Sequence, residues 1–92
     1  MEDNYRIGGY FVSSKKFTFE VINVVGTISE GTKGWKKQLT RVSWSQGIPK
    51  YDIRSWAPDH KKMGKGITLT VEELRELKKL IDEEVELIDK FV

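Results

Sequence analysis

KYDIRSWAPDHKKMGKGITLTVEELRELKKLIDEEVELIDKFV, residues 50–92, decides the fold, because strand-like and helix-like periodicities meet inside it. KYDIRSW is extended from about Lys50 to Trp56, and Ala57-Pro58-Asp59 ends it, since proline cannot donate to a ladder and pushes its predecessor toward extended geometry. HKKMGKG reads as a basic, glycine-flanked loop, and Ile67-Thr68-Leu69 alternates as a short strand. Sheet then gives way to helix. Thr70 and Glu73 form a capping box, the hydroxyl accepting from an early backbone N–H while the carboxylate reaches back to the N–H of Thr70. Val71, Leu74, Leu77, Leu80, Ile81, Val85, Leu87, Ile88 and Phe91 follow at helical spacing. They cover an arc of roughly 200°, where a helix lying on one surface needs about 100°. Glu84 interrupts it. Two arrangements fit that arc: a helix sunk into a curved sheet, or a surplus apolar face that meets another chain through Leu80, Leu87, Ile88 and Phe91.

Upstream, FTFEVINVVGTIS (residues 17–29) is rich in β-branched and aromatic residues, with Phe17, Phe19 and Val21 on one parity and Ile22, Val24 and Ile28 on the other. A strand whose parity switches contains a bulge or bend. Glu30-Gly31-Thr32-Lys33-Gly34 is a turn, and WKKQLTRVSWS is a second strand hairpinned to the first. Gln46-Gly47-Ile48-Pro49 breaks it. Residues 1–16 mix Gly, Ser and charge without sustained periodicity and read as an amino-terminal arm, with a short strand at residues 10–12. The expected order is therefore four strands followed by one helix, an α+β domain over residues 17–92.

At 92 residues the chain has room for one domain, at roughly 100 to 200 residues per domain. With 38% apolar and 33% charged positions it is neither a disordered nor a membrane-spanning chain, and no apolar run is long enough for a transmembrane helix or a secretory signal. A domain this small buries only about 60 to 65% of its unfolded surface, so association with a second copy helps it. It has no Cys, which excludes disulfides, thiol catalysis and thiolate zinc sites and is compatible with a cytoplasmic location. The net charge of +2 conceals an asymmetry. Residues 31–67 hold nine basic residues against Asp52 and Asp59, while residues 71–92 hold four basic against eight acidic. A charge split of this kind points to a polyanionic partner for one surface.

Within the basic segment, cations alternate with large aromatics: Lys33, Trp35 and Lys37, then Arg41 and Trp44, then Arg54 and Trp56. Binding of unpaired nucleic acid without sequence preference needs a π-face for the base and a nearby cation for the phosphate. On a strand, Arg54 and Trp56 share a face and Ile53 points to the other, which places a cation and a stacking ring about 7 Å apart above an apolar underside. Tryptophans are more often core than platform, but a chain using Trp only for bulk has no reason to flank it with charge. His60 is the only histidine and reads as a solvated loop residue beside Asp59, so neither a metal cluster nor a Ser-His-Asp arrangement is expected, and no cofactor. Gly64-Lys65-Gly66 lacks the spacing of a phosphate-binding P-loop. The chain is not expected to be an enzyme.

KYDIRSW, a polar loop, GKGITLT and then VEELRELKKLI resemble the core of the transcriptional positive cofactor 4 family, and KGWKKQLTRVSW followed by PKYDIRSWAPDHKKMGKGITLT is most similar to its small bacterial YdbC-type members. The resemblance implies a four-stranded curved antiparallel sheet followed by one carboxy-terminal helix, a homodimer, and channels for single-stranded DNA. It implies that Arg54 and Trp56 are the cation and stacking aromatic of the third strand, that Lys65 contacts the backbone, and that Trp44 takes the place of the aromatic ending the second strand. Arg41 is placed either inward or outward. Eukaryotic members carry a Ser-rich acidic region ahead of the core, where this chain has 16 residues, so regulation through such a tail is not expected.

The sequence thus supports a homodimeric single-stranded DNA-binding protein, with RNA also open, that serves transcription regulation or DNA replication and repair, in a bacterial cytoplasm or nucleoid. Its expected nucleic-acid contacts are Lys33, Trp35, Lys37, Arg41, Trp44, Arg54, Trp56, Lys61, Lys62 and Lys65. The alternative is a coactivator-like protein-interaction module that recruits an acidic partner from the transcription or replication machinery.

Overall fold

Glycine- and serine-rich as it is, the amino-terminal stretch forms a small sheet. In a computed structural model, which describes residues 4–7, 10–13 and 18–91, with side chains from residue 18 onward, β1 (Asn4–Ile7) and β2 (Tyr10–Ser13) make an antiparallel hairpin. The sequence expects only the second of these strands. The expected strand start at Phe17 lies outside the described residues.

The second sheet has the order β3-β4-β5-β6, antiparallel throughout, from β3 (Phe19–Glu30), β4 (Lys36–Trp44), β5 (Lys50–Trp56) and β6 (Met63–Leu69); α1 (Val71–Phe91) follows. This is the expected four strands and one helix. A 3-10 turn, Thr32–Gly34, joins β3 to β4, with Lys33 at φ 55° and Gly34 at φ 78°. Ser45 and Gln46 carry φ of 49° and 62° between β4 and β5, and Gly47 N–H donates to the Trp44 carbonyl at 2.8 Å. Two positive φ values at the centre of a turn match the right-handed twist of the strands they join.

The sheet coils strongly. Trp44 pairs with Phe19, and Trp56 pairs with Lys36, eight residues away along β4. On a straight strand those two ends are about 27 Å apart. Yet the Phe19 ring lies 5.9 Å from the Trp44 ring and 5.7 Å from the Trp56 ring. Curvature on this scale has a source in β3, whose register against β4 shifts between Val21 and Asn23, between Val24 and Gly26, and between Thr27 and Ser29. Each shift bends and twists the strand locally. The parity switch read in the sequence is these bulges.

Alternation along β4 and β5 then sorts the side chains. Gln38, Thr40, Val42, Asp52, Arg54 and Trp56 lie inside the curl and are buried; Leu39, Tyr51, Ile53 and Ser55 on the opposite face are half-buried, and Lys37 and Arg41 there are exposed. The sequence expects Arg54 and Trp56 above an apolar underside. They do share a face, but that face is the enclosed one, because the sheet curls around it. The Ile53 side is covered only in part: Leu74, Leu77 and Ile81 of α1 stand across a gap of about 450 Å³ from Ile28, Leu39 and Ile53.

The helix begins where the capping box places it. Glu73 N–H donates to Thr70 Oγ1 at 3.1 Å, and Thr70 N–H donates to Glu73 Oε1 at 2.8 Å. Lys78 pairs with Asp82 at 2.6 Å, and Lys90 stands 3.9 Å from Glu86, one turn apart in each case. Leu74 and Leu77 are half-buried; Leu80, Ile81, Val85, Leu87, Ile88 and Phe91 are exposed, Phe91 at 85%. No helix among the described residues is long and apolar enough to cross a membrane.

Candidate nucleic-acid interface

Arg54 sits at the centre of the enclosed face with its donors engaged. Its Nε and Nη2 donate to the two carboxylate oxygens of Asp52 at 2.5 and 2.8 Å, and its Nη1 donates to Met63 Sδ at 3.2 Å and to the Gly64 carbonyl at 3.4 Å. Asp52 is fully buried and accepts a further bond from Thr68 Oγ1 at 2.9 Å; Arg54 is 8% exposed. A buried pair with so many hydrogen bonds avoids the desolvation penalty of an uncompensated charge. The guanidinium also lies over Trp44, with Cζ 4.9 Å from the ring centroid, within cation–π range. Arg54 therefore packs against the Trp44 ring.

Trp44 and Phe19 are half-buried at the end of the β3–β4 pair. Trp56 is 1% exposed, between the Phe19 ring and the His60 ring at 5.5 Å, and its indole nitrogen is buried without a hydrogen-bond partner. The open indole expected at position 56 is thus a sealed one. Trp35 is half-buried where the 3-10 turn enters β4, its backbone N–H donating to the Thr32 carbonyl at 3.1 Å.

The cations divide by place. Lys33 is exposed in the turn before β4; Lys37 and Arg41 are exposed on the face opposite Arg54, so Arg41 lies outward; Lys61 and Lys62 are exposed in the loop after β5; Lys65 is exposed in β6. Two residues outside the expected set lie beside Trp56. Lys36, one position from Lys37, takes the parity of the enclosed face and, with Gln38, lines a pocket next to Trp56. His60 is the other, and it is not a solvated loop residue. It has φ 59°, is half-buried, and its Nε2 is 2.8 Å from Gln38 Oε1. Strand parity could have selected Lys36; the sequence carries no signal for His60, whose position depends on the loop closing through its N–H to the Ala57 carbonyl at 2.9 Å.

Gly64 and Gly66 of the expected basic loop are in β6, not in a loop. Met63 pairs with Trp56 and Gly66 with Arg54, and a Cβ at Gly66 would overlap Arg54 Cβ and the Ile53 carbonyl oxygen. Among the described residues no group of three or more His, Asp or Glu side chains is placed to hold a metal ion.

Together these elements define a coiled four-stranded antiparallel sheet with a carboxy-terminal helix and an aromatic cluster, backed by a buried cation, inside the coil. The sequence profile described as Transcriptional Coactivator p15 (PC4) matches residues 32–80, from the turn before β4 to the middle of α1. The chain belongs to that family. It is also similar to a protein of Treponema pallidum (strain Nichols) described as an uncharacterized protein, 44% identical over 71 residues that cover 77% of this chain and 84% of that one.

Proposed function

We propose that the protein binds single-stranded DNA with little sequence preference, as a homodimer, in transcription regulation, replication or repair. The aromatic cluster carries this: the Phe19 ring lies within 6 Å of both the Trp44 and the Trp56 rings in the coil, with Arg54 against Trp44, in a chain of the p15 (PC4) family. Every base has a π-face, so stacking tolerates any sequence. In this reading bases stack on Phe19 and Trp44, while Trp56 packs against Phe19 and Arg54 against Trp44. Trp35 supplies a further ring. Lys33, Lys61, Lys62 and Lys65 hold phosphates, and Lys37 and Arg41, on the far face, add long-range attraction. The second protomer covers the exposed apolar face of α1 through Leu80, Leu87, Ile88 and Phe91.

Stacking contributes about 1 to 3 kcal/mol per base, so Trp44→Ala should weaken oligo-dT binding by about tenfold. Fluorescence anisotropy with labelled dT measures it. Unchanged affinity would remove Trp44 as a platform and favour docking of an acidic protein partner, to which DNA is incidental.

A further inference from the structure

We infer that the pocket beside Trp56 is a binding site for an adenine nucleotide, and that in the single-stranded DNA complex proposed above it gives one position of an otherwise tolerant track a base preference. The pocket holds about 270 Å³ at the end of the sheet where Lys36 pairs with Trp56, and its walls include Gly34, Lys36, Gln38, Trp56, Pro58 and His60. The side chains of Trp56 and His60 are among its walls, and exposed Lys36 lines it as well.

The amide of Gln38 is what a tolerant stacking surface does not require. Gln38 is 5% exposed, and both ends of its amide are oriented: Nε2 donates to Thr27 Oγ1 at 3.1 Å, and Oε1 faces His60 Nε2 at 2.8 Å. Each end keeps capacity, one hydrogen on Nε2 and one lone pair on Oε1. A donor beside an acceptor on an immobilised amide is the pattern that pairs with the N6 and N7 edge of adenine. The walls are fixed as well. Gly34, at φ 78°, lies so close to Pro58 that a Cβ would stand 2.9 Å from Pro58 Cγ, and His60 is pinned through its backbone N–H and its ring. A base entering the pocket therefore meets a preformed amide edge, and its phosphate meets Lys36.

An adenine nucleotide could arrive free or within a strand, and two arms of one experiment separate these. The isotopically labelled full chain is titrated with AMP, CMP, GMP and UMP, following the Gln38 side-chain amide, the His60 imidazole and the Trp56 indole by NMR. In parallel, dT12 is compared with dT12 carrying a single dA at either end or in the middle. AMP should shift all three groups and bind at least about fivefold tighter than UMP, the discrimination of one bidentate pair. A similar gain from one dA places the adenine in the strand; a gain with AMP alone makes the site one for free nucleotide. Gln38→Glu, which removes the donor, should abolish the difference among bases, and Lys36→Ala should weaken all four nucleotides alike. Where Gln38→Glu does not fold, the wild-type base comparison and Lys36→Ala still decide. Equal shifts for all four bases, or none with no gain from dA, overturn the pocket, and continued dT12 binding then leaves the single-strand proposal standing. Binding of AMP without binding of dT12 sinks the single-strand proposal instead.

Discussion

Gly66 faces Arg54 across the β5–β6 ladder, and the approach leaves no volume for a side chain. Gly66→Ala pushes a methyl into the backbone of Ile53 and the stem of Arg54, so it should destabilise the fold by about 1 to 3 kcal/mol or more. At about 4 to 8 °C per kcal/mol for a domain of this size, thermal unfolding followed by circular dichroism detects this readily. An unchanged midpoint would mean that β6 is not seated against Arg54. At this scale the sequence was a partial guide. It shows that Arg54 and Trp56 share a face, because alternation on a strand is strict. It does not show that the Arg54 guanidinium is spent on Asp52, since an i, i+2 pair on a strand is equally compatible with two solvated charges. Lys36 and Lys37 look interchangeable as letters, and only strand register separates them.

Among the elements, α1 is the most legible. Its start follows from local chemistry, and Thr70→Ala, which removes the acceptor for the Glu73 N–H, should cost about 0.5 to 2 kcal/mol. The change is read as earlier loss of helical ellipticity on heating; a melt identical to the parent would remove the cap from the list of stabilising contacts. The strands β3, β4 and β5 are legible from β-branched and aromatic content. Most of β6 is not, because Met63-Gly64-Lys65-Gly66 has little strand propensity and is extended only because Arg54 and Trp56 pair with it. The bulges of β3 are visible as a change of parity. Which face they enclose is not, since that depends on rings from three strands meeting inside the coil. The β1–β2 hairpin is carried by a segment without alternation, and its first strand escapes pattern reading altogether.

The molecule as a whole exposes more surface than its mass requires. A folded chain of 10.7 kDa is expected to expose about 5,500 Å², whereas this one exposes 7196 Å², about 1,700 Å² more. Its radius of gyration is 15.6 Å against an expected value of about 12 Å. The buried apolar residues among those described are Val42, Trp56 and Ala57, a small core beside the exposed Leu80, Leu87, Ile88 and Phe91. An excess of that size per chain lies in the range that obligate dimers bury. Sedimentation at micromolar concentration should therefore give twice 10.7 kDa, and Leu87→Asp should return the single-chain mass or unfold the protein. A wild-type single-chain species would refute the dimer. The excess apolar arc of α1 is readable in sequence; what would cover it is not, because periodicity carries no information about a partner.

The most direct measurement is a titration of the wild-type protein with oligo-dT across a salt series, followed by tryptophan emission. Stacking on Trp44 quenches the emission, and duplex of the same length binds more weakly. The logarithm of the binding constant falls against the logarithm of salt with a slope of about −3 to −5, at about −0.7 per phosphate neutralised. Emission indifferent to oligo-dT, with no binding at low salt, would contradict the proposal that this aromatic face receives single-stranded DNA.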